Sequence, residues 1–364
     1  MCLFYSCNES RNSELTEIPV DIEQDASLPL SSITEKLIAI ELELTDESLI
    51  NSDRIKRILI SDNEIIIAES YNIYVFTKEG KFLRSIGSRG QGPGDYGLIM
   101  NLALDEKNKR LFVNSSASSP NDISKILCYD LNGNYLKHLI IDQDKTPVMD
   151  INFINDKLFI ITENITYNNL RMFCKHSVIY ELNNELQITD SIPIRDVYVE
   201  QPGTSTGSYT EFLLSGETFV SLYFPDAAEE MQKPLINIVR DTLYILKNNC
   251  LIPDFKLKFK NNGIADSGNK FIQLYNIYRS SRYFFAYYSN VLKRKRCCFC
   301  YDTKTETGYN MLDGFTDDIN KIEKRIRIRI LSSDPEIFYY LHTHMNPDDL
   351  EEPNPTLYIG TLKK

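Results

Sequence analysis

An internal repeat constrains this chain more than any other feature. An aromatic residue closes an apolar strand, a polar turn carrying Gly or Asn follows, and a second apolar strand begins. Phe76 precedes Thr77-Lys78-Glu79-Gly80, and Tyr129 precedes Asp130-Leu131-Asn132-Gly133. Tyr180 precedes Glu181-Leu182-Asn183-Asn184, Tyr244 runs into Lys247-Asn248-Asn249, and Tyr301 precedes Asp302-Thr303-Lys304-Thr305. Gly and Asn reach the positive φ that tight hairpin turns need. A further step of the same size lands on Tyr358 in Thr356-Leu357-Tyr358-Ile359-Gly360. The aromatics at 76, 129, 180, 244, 301 and 358 therefore mark six units of blade size.

Short apolar or alternating segments lie between these marks, including Ile58–Ser61, Glu64–Ala68, Asn101–Asp105, Arg110–Val113, Met149–Ile154, Lys157–Thr162, Phe271–Tyr278 and Tyr283–Tyr288. No long segment keeps a helical period, so the class is all-β. The sixth unit stops soon after Tyr358, before an outer strand can form. At the other end Leu37–Leu44 is an orphan strand ahead of the first complete unit. Joining the two removes exposed sheet edges, which otherwise invite aggregation. The expected fold is a six-bladed β-propeller over 37–364, its last blade closed by the N-terminal strand, with no division into two domains.

The net charge of −11 and a pI near 5.0 argue against nucleic acid as a partner, since backbone phosphates demand a positive footprint. The chain has 22 Tyr and 18 Phe but no Trp, an aromatic enrichment that suits strands. No window reaches the roughly 20 apolar residues of a membrane-spanning helix. Met1-Cys2-Leu3-Phe4-Tyr5-Ser6-Cys7 matches the tail of a bacterial lipoprotein signal, with a small residue before the Cys. Residues 1–7 are thus expected to be a signal remnant and Cys7 the lipidation site, so that the membrane is met only through a lipid anchor. Residues 8–36 are rich in Asn, Ser, Glu and Asp, and read as an acidic flexible tether. Cys128, Cys174, Cys250, Cys297, Cys298 and Cys300 lack paired zinc-site spacing and read as small buried residues.

Gly80–Tyr96 reads GKFLRSIGSRGQGPGDY. It resembles the exported six-bladed propellers of Gram-negative anaerobes, relatives of the NHL-repeat and TolB-like propellers. Their hallmark is a strand ending in Ile-Gly and then a Gly-x-Gly-Pro-Gly-acid-aromatic loop, matched here by Gly87, Gly90, Gln91, Gly92, Pro93, Gly94, Asp95 and Tyr96. Ile252–Phe259 is similar to that family's fourth-blade outer strand, and Asn354–Ile359 to its closing strand. The resemblance implies a lipid-anchored or periplasmic propeller and supplies no catalytic residues.

The glycine run is not a dinucleotide fingerprint, because a strand rather than a helix follows it. It reads as the crossover from one blade to the next, with Arg89 and Gln91 as its long polar side chains on the face propellers commonly use for ligands. The loops at 116–124, 166–171, 226–233, 290–296 and 342–352 are expected on the same face. Lys293-Arg294-Lys295-Arg296 is basic, whereas Asp226, Glu229, Glu230, Asp348, Asp349, Glu351 and Glu352 are acidic. Convergence of these loops would make a dipolar ring suited to a polar partner. His342 and His344 stand two apart at a strand end and join the candidate binding set, while His138 and His176 show no partner. No nucleophile elbow or zinc-protease helix is present.

The expected function is recognition or scaffolding on the cell envelope without catalysis, with a peptide, glycan or envelope protein as partner and no cofactor. The alternative is a propeller enzyme, such as a metal-dependent lactonase-type hydrolase or a lyase, using carboxylates like Asp105 and Asp150 around the central channel.

Overall fold

The computed structural model describes residues 15–116, 125–140, 148–167, 173–199, 211–222, 241–263, 271–343 and 353–364. They form a six-bladed β-propeller of four-stranded antiparallel sheets. Blade 1 runs from Ile55–Ile60 through Glu64–Glu69 and Ile73–Thr77 to Phe82–Ser85. Blade 2 starts at Leu98–Asp105, blade 3 at Val148–Ile154, blade 4 at Glu211–Ser215, blade 5 at Ile272–Arg279 and blade 6 at Arg329–Leu331. These first strands surround the axis.

All six repeat aromatics fall on the third strand of their blades. The middle strands are pressed between neighbouring blades, so both of their faces are apolar. In blade 1, Ile65 and Ile67 pack toward blade 6 with Ile40 and Leu357, while Ile66 and Ala68 pack toward blade 2 with Leu111 and Val113. In blade 2, Leu127 and Tyr129 face blade 1, and Ile126 and Cys128 face blade 3. The core is thus a ring of inter-blade layers.

Positive φ at Gly80, Gly133, Asn248 and Asn249 agrees with the expected turn chemistry. In blades 3 and 5 it falls instead on Leu186 and Glu306, at the far end of each turn.

Closure follows the expected scheme. Thr34–Glu41 is the outer strand of blade 6 and pairs antiparallel with Thr356–Leu362, Ile38 opposite Ile359. Asn354, just before the closing strand, fastens the crossover into blade 1. Its Nδ2 donates to the carbonyls of Glu43 (2.9 Å) and Ser48 (2.7 Å), and its Oδ1 accepts from Ile50 N–H at 2.8 Å.

The tether expectation needs correction over 15–36. Thr16–Val20 adds a fifth, parallel strand outside Cys250–Phe259 of blade 4. Gln24 and Ala26 then bond the backbone and side chain of Asn310 in the outer strand of blade 5. Leu28 and Leu30 bracket Thr316 in the next crossover, and the segment passes into Thr34–Glu41. Ile18, Val20, Leu30 and Ile33 are buried in the layer shared by blades 4 to 6. The segment is a belt because the outer strands of blades 4 and 5 provide a free edge and an apolar ledge. The alternation of Ile18, Val20 and Ile22 fits that edge. The first fourteen residues, with Cys7, lie outside the described residues.

Candidate functional site

The glycine run forms the crossover from blade 1 to blade 2, where Ser88–Arg89 pairs in parallel with Asp95–Tyr96. Asp95 organises it. Its carboxylate accepts from Gly92 N–H at 2.8 Å and from Ser88 Oγ at 2.9 Å, and these bonds hold its pKa below the ordinary carboxylate value. A Cβ at Gly90 would run into the Asp95 carboxylate, and one at Gly92 would approach it to 2.8 Å. The space a phosphate would need is therefore filled by the protein's own carboxylate. Tyr129 Oη donates to Gly94 O at 2.7 Å, Lys125 Nζ to Gly92 O at 3.2 Å, and Tyr96 Oη to Ile86 O at 3.2 Å. The loop is braced on both blades, yet Arg89 and Gln91 stay exposed. The Arg89 guanidinium lies over the Tyr71 ring, 4.4 Å from its centroid.

Lys293, Arg294 and Arg296 are exposed on and beside the hairpin tip of blade 5, and Arg294 takes a positive φ of 51°. Lys293 Nζ is paired with Glu23 Oε2 of the belt at 2.5 Å. The basic run and Arg89 share a face but not a site, because blades 6 and 1 stand between them. His342 is the half-buried last residue of Asp334–His342. His344 and the acidic residues 226, 229, 230, 348, 349, 351 and 352 lie outside the described residues.

At the opposite end of the axis, the first strands of blades 1, 2, 3 and 6 enclose a cavity of about 110 Å³. Arg57 Nη2 donates there to Ser332 Oγ at 2.5 Å. Asn152 lines it, and its buried Nδ2 has no hydrogen-bond partner among the described residues. Small-molecule pockets run to roughly 300–1,000 Å³, so this space suits a few waters that satisfy Asn152. The carboxylates suspected of chemistry are both engaged. Asp105 holds Arg110 (Nη2 at 2.5 Å) and Asn108 in its own hairpin. Asp150 accepts from Asn101 Nδ2 and from Ile151 N–H at 2.9 Å.

Cys128, Cys174, Cys297, Cys298 and Cys300 are buried thiols. Burial pushes the Cys128 thiol up to about 11 and Cys298 to about 12, values that suit packing rather than reactivity. His138 and His176, expected to lack partners, both have them. Tyr135 Oη meets His138 Nδ1 at 2.5 Å, and Asp196 Oδ1 meets His176 Nδ1 at 2.6 Å.

The sequence matches the model of the domain of unknown function DUF4934 over residues 15–357. The chain belongs to the DUF4934 family. The match begins at the belt, one residue before its first strand. Among solved structures, the chain is similar to a Bacteroides fragilis NCTC 9343 protein described as a "Putative exported protein", at 17% identity and a TM-score of 0.65, over 96% of this chain and 100% of that one. It is also similar to a DUF4221 family member from Bacteroides vulgatus ATCC 8482, at 11% identity and a TM-score of 0.51, over 91% and 97% of the two chains. At these identities the likeness carries the fold. No curated protein matches this DUF4934 chain.

Proposed function

We propose that this DUF4934 protein is an exported, non-catalytic binding propeller of the cell envelope. It recognises a peptide, glycan or protein partner through the face that carries Arg89 and Gln91. The observation that carries this reading is the crossover itself. Its backbone is held by Asp95, Tyr129 and Lys125, and its exposed positions display an arginine stacked on a tyrosine beside a glutamine. A braced loop loses little entropy on binding, and Arg and Tyr are favoured interface anchors. The bonding of Asp105 and Asp150 supports a non-catalytic role.

The Ser6-Cys7 pattern supports export as an outer-membrane lipid-anchored or periplasmic protein, in keeping with the resemblance to exported, lipoprotein-type propellers related to the NHL-repeat and TolB-like propellers. The description of the B. fragilis neighbour points the same way. Lys293, Arg294, Arg296 and His342 are a second contact region on the same face, to which the sequence adds His344, outside the described residues.

Two experiments test this. Binding of the full chain to arrays of envelope glycans and peptides is measured beside the double variant Arg89→Ala/Gln91→Ala. A loss of at least ten-fold at unchanged melting temperature is expected, and equal affinity would move the site elsewhere. Metabolic labelling with an alkyne fatty acid should mark the wild type and not Cys7→Ala. An unlabelled wild type would remove the anchor from this reading.

A further inference from the structure

The fourth strand of blade 3, Ile188–Val199, folds back on the third, Phe173–Leu182, and brings three unlike donors together. Cys174 and His176 are two apart on one strand and so share a face. Asp196 is the direct cross-strand partner of His176. Cys174 Sγ, His176 Nδ1 and Asp196 Oδ1 all lie within 4.8 Å of one another. Nδ1 is 2.6 Å from Oδ1 and 3.9 Å from Sγ.

We propose that Cys174, His176 and Asp196 are the protein ligands of a zinc site on blade 3. Tetrahedral zinc with bonds of about 2.0–2.3 Å spaces its donor atoms about 3.4–3.6 Å apart. The Nδ1–Oδ1 and Nδ1–Sγ distances reach that range by movements of less than about 1 Å, and the Sγ–Oδ1 separation by at most about 1.4 Å. Thr166 Oγ1 lies 3.2 Å from His176 Nε2. In the zinc-bound form this hydroxyl accepts the Nε2–H and leaves the Nδ1 lone pair for the metal, the arrangement that orients metal-binding histidines. Without metal a proton bridges Nδ1 and Oδ1 at 2.6 Å, and zinc takes the place of that proton as the two atoms part to ligand spacing. Cys174 is buried at 3% exposure, whereas the His176 and Asp196 side chains are 39% and 31% exposed. The fourth coordination position therefore opens to solvent, available to water or to a partner's side chain. Sulfur, imidazole and carboxylate together favour zinc over calcium or magnesium, which take oxygen ligands. On binding, the Cys174 thiol releases its proton to solvent as the Zn–S bond forms.

The test uses the full chain, stripped with chelator, then titrated with Zn²⁺ against a chromogenic competitor and separately with Co²⁺. One saturable equivalent is expected, with a sulfur-to-cobalt charge-transfer band. Cys174→Ser should abolish the band, and His176→Asn and Asp196→Asn should each weaken zinc binding by at least ten-fold. Far-UV circular dichroism and melting of the metal-free variants check that they fold. The exposed His176 provides a variant that spares the core if Cys174→Ser does not fold. No saturable equivalent at micromolar zinc, cobalt bound without the sulfur band, or wild-type affinity in a folded His176→Asn would each overturn the site.

Discussion

Ile50 donates its backbone N–H to the side chain of Asn354, which lies 304 residues away in sequence, at 2.8 Å. The Nδ2 of the same amide donates to the carbonyls of Glu43 and Ser48. One buried residue therefore joins the closing strand to the crossover that enters blade 1. Replacing it with Ala removes three hydrogen bonds and strands three backbone groups out of water. Asn354→Ala should cost about 2–4 kcal/mol, from roughly 1 kcal/mol per bond and the penalty for stranded groups. Urea unfolding measures this, and a loss below about 0.5 kcal/mol would mean that water replaces the amide.

Phe338 and Gly360 are cross-strand partners in blade 6, and a Cβ on Gly360 would overlap the Phe338 ring. Phe338 is fully buried, so the ring has nowhere to go. Gly360→Ala should destabilise by about 1–3 kcal/mol through overpacking. Gly308 in blade 5 lies diagonal to Phe299, and a Cβ there would come within 2.8 Å of the ring, so Gly308→Ala should also destabilise. Thermal melts of both variants check this.

The belt should be part of the cooperative fold. Leu30 is fully buried in the layer of blades 4 to 6, so Leu30→Ala should cost about 2–5 kcal/mol. Glu23→Ala removes only an exposed pair with Lys293 and should cost less than about 1 kcal/mol. Equal, negligible effects in chemical denaturation would mean that the belt is dispensable.

Asp302 gives a pH signature. Arg282 grips it with two bonds, Nε at 2.9 Å and Nη2 at 2.6 Å, and this pairing holds its pKa below the ordinary value. A depressed carboxylate contributes stability above its unfolded pKa, about 3.9, and loses it as pH falls through the folded value. Wild type should therefore exceed Asp302→Asn in stability at neutral pH, and the gap should shrink as pH drops below about 4. A constant gap in urea melts across that range would assign the effect to packing instead.

The blade count was legible because Phe76, Tyr129, Tyr180, Tyr244, Tyr301 and Tyr358 mark third strands, where burial on both faces demands apolar residues before a tight turn. Closure by the N-terminal strand was legible from an incomplete sixth unit. Arg89 and Gln91 were legible as exposed loop positions, since glycines and a proline surround them. The role of Asp95 as the loop's internal anchor was not, because it follows from where its two oxygens point.

The pairing of His176 with Asp196 shows where such reading ends. A regular hairpin that sets Leu182 opposite Ile188 places Ile194 opposite His176. Register shifts at Ser177/Val178 and Glu181/Leu182 bring Asp196 there instead. A bulge depends on how the strand bends against its neighbours, which no local pattern records.

By itself, the sequence determined the all-β class, the six blades and the closing strand, because strand period and turn chemistry are local properties of the chain. Only the tertiary structure decided that residues 15–36 are a belt, that Asp105 pairs with Arg110 and Asp150 with Asn101, and that Cys174, His176 and Asp196 meet. Each of those outcomes depends on which strand edge or side chain another part of the ring presents, and that is set when the blades pack.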